Sequence, residues 1–152
     1  MEEIIFRQLE WKDIDRFIEL RKQQLLEEGA EATTDITMTL LDFYKRHLTD
    51  ATFVSWVAAI NDEIIATSGM SFVEKPPYYS NPTGRIGILS SMYTIPSYRR
   101  KGIAKKLLGL VVSEAKKYGC AEVHITASDL GVHLYESFGF NRNKNFFQYK
   151  MS

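Results

Sequence analysis

The stretch Arg99-Arg100-Lys101-Gly102-Ile103-Ala104-Lys105 sets four basic side chains around one glycine. If a helix starts at that glycine, the chemistry on offer is anion binding. A helix begins with about four amide N–H groups that lack an intrahelical partner, and its dipole places roughly half a positive charge there. Glycine lets a bulky ligand approach the backbone, and the small Ala104 clears the next turn. The same residues equally suit a solvated basic helix start, and charge alone does not separate the two readings. The Gly-x-x-x-x-Gly-Lys-Ser/Thr spacing of a nucleoside triphosphatase loop is absent, as is a Gly-x-Gly-x-x-Gly dinucleotide fingerprint.

The elements that would carry this turn follow from periodicity. Residues 4–9 alternate as a strand, and 11–28 place Ile14, Phe17, Ile18, Arg21 and Leu25 at helical spacing, with Gly29 as a stop. Asp35 can cap a second helix to about His47, with Met38, Leu41 and Phe43 facing inward. Residues 53–60 and 64–73 suit a hairpin around Asn61-Asp62-Glu63. Glu74 to Gly84 holds three of the four prolines and must be a loop. Residues 85–94 form a strand, 102–118 an amphipathic helix closed by Gly119, 121–126 a strand, 129–138 a short helix and 146–151 a last strand. The order predicts a mixed α/β (α+β) domain over residues 1–152, with an antiparallel amino-terminal sheet and a strand-helix-strand unit after it.

The wider composition narrows the functional classes. Nineteen Lys and Arg balance nineteen Asp and Glu, so no global field gathers nucleic acid or an acidic membrane. Yet residues 98–119 carry Arg99, Arg100, Lys101, Lys105, Lys106, Lys116 and Lys117 against Glu114 alone, a local surplus. The single Cys120 has no internal disulfide partner and suits a small buried thiol. Three scattered histidines offer no metal-ligand spacing. The acidic start and the lack of a long apolar run point to a cytoplasmic protein without a membrane span.

Two segments carry a resemblance to a known family. Arg99 to Ala104 resembles the Arg/Gln-x-x-Gly-x-Gly/Ala signature of the GNAT superfamily of acyl-coenzyme A dependent N-acetyltransferases, and it follows a strand and opens a long helix, as in that family. Leu134-Tyr135-Glu136-Ser137-Phe138-Gly139-Phe140 resembles the family's Leu-Tyr-Glu-x-x-Gly-Phe segment about thirty residues downstream. The resemblance implies the GNAT fold: a mixed sheet of about six to seven strands, about four helices, and a V-shaped splay between the fourth and fifth strands. It implies acetyl-coenzyme A as cosubstrate, no metal, an amine acceptor that is a small molecule or a peptide N-terminus, and a possible homodimer.

Carried over by position, the resemblance assigns Met92, Tyr93 and Thr94 to the pantetheine arm, and Arg100, Lys101, Gly102, Ile103, Ala104 and Lys105 to the pyrophosphate. Arg99 opens the motif and orders the loop as much as it touches ligand. A backbone amide near Met92 would face the acetyl oxyanion, and Tyr135 would be the general acid for the leaving thiolate. Ser128 and Gly131 stand where many members have Asn and Ala. The strand glutamate that several members use as base is missing from residues 89–93, which leaves His124 and Glu74 as possible proton acceptors. The loop 74–84, with Tyr78 and Tyr79, and the connector 28–34 are expected to wall the acceptor side. The expected function is N-acetyl transfer by direct attack in a ternary complex. The alternative is a non-catalytic acyl-coenzyme A sensor on the same fold.

Overall fold

The computed structural model describes residues 2–143 and 145–151. Six strands form one sheet: β1 (Ile5–Gln8), β2 (Phe53–Val54), β3 (Trp56–Ile60), β4 (Glu63–Glu74), β5 (Arg85–Thr94) and β6 (Glu122–His124). The main order is β1-β3-β4-β5-β6, with β2 beside β4. Every pairing is antiparallel except β5 with β6, which is parallel because α3 (Ile103–Tyr118) crosses between them. The remaining helices are α1 (Ile14–Glu27), α2 (Thr37–Thr49) and α4 (Val132–Phe138).

Helices cover both faces of the sheet. On one face α1 and α2 bury Ile14, Phe17, Leu20 and Tyr44 against Phe53, Val57 and Ile64. On the other, α3 buries Leu107, Leu108, Val111 and Ala115, as its apolar spacing predicts. Each such Leu or Val stabilises the fold by roughly 1.5–3 kcal/mol, enough to fix the helix that carries the basic turn. α1 is held in turn by Arg7, whose guanidinium grips the buried Asp13 at 2.7 and 2.9 Å.

Three expectations change. In α2 Leu41 and Phe43 pack against the core as expected, but the buried anchor is Tyr44, and Met38 is 72% exposed. Residues 146–151 form no strand, and Phe146, Phe147 and Tyr149 are exposed. The edge strand β6 has only three residues and offers too short a ladder for a six-residue partner, so strand propensity finds no template. The proline-rich loop lies at the Arg85 end of β5, where Thr83 Oγ1 donates to the Gly119 carbonyl and the Tyr78 hydroxyl donates to Glu122. Among the described residues, no helix is long and apolar enough to cross a membrane.

Candidate active site

The site begins with an irregularity in β5. Ser90 pairs with Gly69 and Tyr93 with Thr67, so Ser91 and Met92 together face Ser68. This β-bulge leaves one residue outside the ladder, with its backbone free for another partner. It also inverts the pleat: Leu89 packs with α3, whereas Tyr93, four residues on, packs with α1 and α2. Ser91 sits at φ +57°, a left-handed conformation costly for any residue but glycine. Two side chains hold it. Thr67 Oγ1 donates to the Ser91 carbonyl at 2.7 Å, and the amide of buried Gln24 on α1 donates to the Met92 carbonyl at 3.3 Å.

Beside the bulge the sheet opens. Pairing between β5 and β6 ends at Ile88 with His124, while β5 runs on to Thr94. A cavity of about 950 Å³ fills this splay, walled by β5, the start of α3, the region of α4 and the last turns of α1.

At one end stands the basic turn. Arg100 at φ +64° and Gly102 at φ +79° curl the backbone, and the first α3 bond runs from the Lys106 N–H to the Gly102 carbonyl. The amides of Gly102, Ile103, Ala104 and Lys105 therefore have no intrahelical acceptor, and no side chain caps them. The basic side chains divide. Arg99 is committed to Glu27 and to the Thr94 carbonyl, Lys101 lies over the Tyr98 ring outside the cavity wall, and Lys106 lies over Phe6. Arg100 and Lys105 line the cavity with no acidic partner among the described residues.

At the other end stands Tyr135 on α4, 7% exposed, its ring edge-on to Phe140. Burial, followed by the negative charge of Glu28, pushes its hydroxyl up to about 12, so it holds its proton at any physiological pH. Gly131 makes room for it: a Cβ at that position would come 2.8 Å from Tyr135 Cε2. Met92, Tyr93, Thr94 and Ser128 also line the cavity.

A model of the acetyltransferase (GNAT) family matches residues 14–140. The chain belongs to the GNAT family. A crystal structure of a predicted acetyltransferase with acetyl-CoA from Clostridium acetobutylicum is similar to this GNAT chain with 35% identity and a TM-score of 0.94, over 98% of this chain and 97% of that one. Among curated proteins, N-acetyltransferase 8B of Rattus norvegicus is 29% identical over 71% of this chain and 48% of its own length. The uncharacterized N-acetyltransferase YsnE of Bacillus subtilis is 36% identical over 43% of this chain and 46% of its own. The chain spans about half the length of these curated relatives.

Within this GNAT site the donor set suits a phosphate-bearing, elongated ligand: uncapped amides and two unpaired cations at one end, and exposed strand backbone along the slot. The proton acceptors named from the sequence are elsewhere. Glu74 pairs with Arg85 and His124 with Glu122, and neither lines the cavity. Of the two expected acceptor walls, only Glu28 from the connector 28–34 reaches the cavity. Sequence reasoning missed Gln24 and Glu27. Gln24 was detectable, since it continues the α1 stripe of Phe17 and Arg21 at helical spacing. Glu27 gave no signal, because its partner Arg99 is distant in sequence.

Proposed function

We propose that the chain is a single N-acetyltransferase domain that moves the acetyl group of acetyl-CoA to a primary amine by direct attack in a ternary complex. The observation that carries this is the bulge at Ser91–Met92 and the Tyr135 hydroxyl, lining one cavity that ends at uncapped helix amides.

The backbone of Met92, Tyr93 and Thr94 pairs with the pantetheine arm in the manner of an added strand. The amides of Gly102 to Lys105 receive the pyrophosphate, and the Arg100 and Lys105 side chains add charge-assisted bonds. Lys101 contributes through its backbone. The freed amide at Met92 donates to the thioester carbonyl as negative charge develops on it, a contact worth about 3 to 4 kcal/mol.

Tyr135 gives its proton to the departing sulfur. A phenol at about 12 against a thiol that kept its solution value near 8.5 would make this transfer unfavourable by roughly 5 kcal/mol. The pocket that raises the phenol raises the sulfur's basicity too, since both would form anions in the same low-dielectric space. The proton therefore moves late, after a hydrogen bond has held the sulfur in place. Cys120 is no competing nucleophile: burial pushes its thiol up, away from the reactive thiolate. Direct attack by the amine remains.

The test is product analysis. Protein incubated with acetyl-CoA and a panel of primary amines is expected to yield an amine carrying one added acetyl group by mass spectrometry. Stabilisation by coenzyme A with no acetylated amine would favour the sensor alternative instead.

A further inference from the structure

The acceptor side of the cavity carries two opposite charges that the transfer chemistry does not use. Arg21 and Gln24 on α1 and Glu28, the residue that caps its end, are spaced by three and four residues, and all three line the cavity. The Arg21 guanidinium donates to Gln24 Oε1 at 3.1 Å, and Gln24 Nε2 donates to Glu28 Oε2 at 3.2 Å. The same Nε2 reaches the Met92 carbonyl at the bulge, so the trio is fastened to the site of acyl transfer. Among the described residues, neither Arg21 nor Glu28 has an ion-pair partner. Glu27, by contrast, is spent on Arg99.

Arg21 is half-buried and Glu28 exposed, and the two charges do not pair with each other because a buried amide stands between them. Here Gln24, 6% exposed, holds them apart. Two hydrogen bonds and one amide group separate them, so the guanidinium and the carboxylate lie roughly 8 to 9 Å apart at most. That span accepts a small molecule bearing an ammonium and a carboxylate on one carbon, with one hydrogen bond at each end. Glu28 is placed to hold the amine: its charge acts on the Tyr135 hydroxyl. Arg21 sits on the side of α1 toward the core, where its charge acts on Tyr44.

We infer that the acceptor is a free amino acid, its ammonium bound by Glu28 and its carboxylate by Arg21. This rests on the N-acetyltransferase reading and names its substrate class. The balance is closed. Of the two protons the ammonium nitrogen must lose, one passes to Glu28 and on to solvent. The other restores the Tyr135 hydroxyl after its proton has gone to sulfur, as the carbon–sulfur bond breaks and the carbon–nitrogen bond forms. A polyamine would leave Arg21 facing a cation, and a peptide N-terminus would place no carboxylate within its reach.

The experiment measures thiol release from acetyl-CoA with the twenty common amino acids and with the corresponding carboxamides, which keep the amine and lose the anion. In the wild type at least one amino acid is expected to exceed its carboxamide by tenfold or more in kcat/KM. Arg21→Met should bring that ratio close to one through a higher KM for the amino acid, and Glu28→Gln should raise KM and lower kcat for both forms. Coenzyme A affinity, measured in parallel, reports whether each variant is folded. Carboxamides that match or exceed the amino acids, or a ratio that Arg21→Met leaves unchanged, would overturn the inference while leaving the transferase reading intact. No thiol release with any amino acid, carboxamide or other primary amine, from protein that binds coenzyme A, would overturn both.

Discussion

Arg99 on the cofactor turn and Glu27 at the end of α1 form an ion pair at 2.8 Å, and the Tyr93 hydroxyl donates to the same carboxylate at 2.8 Å. Burial pushes the Glu27 carboxyl up, and the bonds from Arg99 and Tyr93 outweigh it, holding the group below the usual range. The first residue of the basic motif thus tethers the basic turn to the end of α1. Arg99→Met and Glu27→Gln should each weaken coenzyme A binding by up to about fivefold, the upper end for a partly exposed pair. The double variant should lose no more than either single one. Calorimetric titration of the three variants checks this, and additive losses would mean that Arg99 contacts the ligand itself.

Gly102 should tolerate a side chain in the fold but not in the complex. It sits at φ +79°, yet a Cβ there meets no protein atom within 4 Å. Gly102→Ala therefore costs roughly 1–2 kcal/mol of stability for the backbone conformation. The larger loss, tenfold or more in coenzyme A affinity, arises because the new methyl stands where the phosphates approach. Thermal unfolding and titration on one sample separate the two effects.

Gly131 presents the opposite case. A Cβ there would meet the Tyr135 ring at 2.8 Å, inside contact distance. Gly131→Ala should displace that ring, lowering turnover by about tenfold or more while coenzyme A affinity changes less. Steady-state kinetics alongside titration would show the split, and unaltered turnover would mean that the ring position is not critical.

Alkali should unfold the protein in a specific window. Tyr135 and Tyr93 each titrate at about 12, above the ordinary value near 10, chiefly because burial disfavours the phenolate. Below pH 10 both states keep these protons and the stability is complete. Between about pH 10 and 12 the unfolded chain ionises first, and stability falls by about 2–3 kcal/mol for each group. Urea midpoints across that window test this, and Tyr135→Phe should make the decline shallower.

The sequence exposed the cofactor half of the site better than the acceptor half, for a physical reason. The basic turn, α3 and Tyr135 are local features: a glycine at a helix start, an apolar stripe and a motif on one short helix. The splay beside β5 was expected on family grounds, but the bulge at Ser91–Met92 and the inversion that sends Tyr93 to the α1 face depend on the partner strand β4. The acceptor wall depends on α1 crossing the open end of β5, a contact between residues nearly seventy positions apart, as for Gln24 and Met92. The loop 74–84 was misplaced for the same reason, since its prolines reveal irregular backbone but not which end of β5 it covers. The terminal strand failed because aromatic residues supply propensity and not a ladder.

The most direct test of acetyl transfer through Tyr135 is thiol release from acetyl-CoA with an accepted amine, for wild type and Tyr135→Phe, where chemistry limits the rate. The account predicts that the wild type releases one thiol per acetylated amine and that the variant, still binding coenzyme A, is slower by about 10²–10⁴-fold. A variant as fast as the wild type would contradict it.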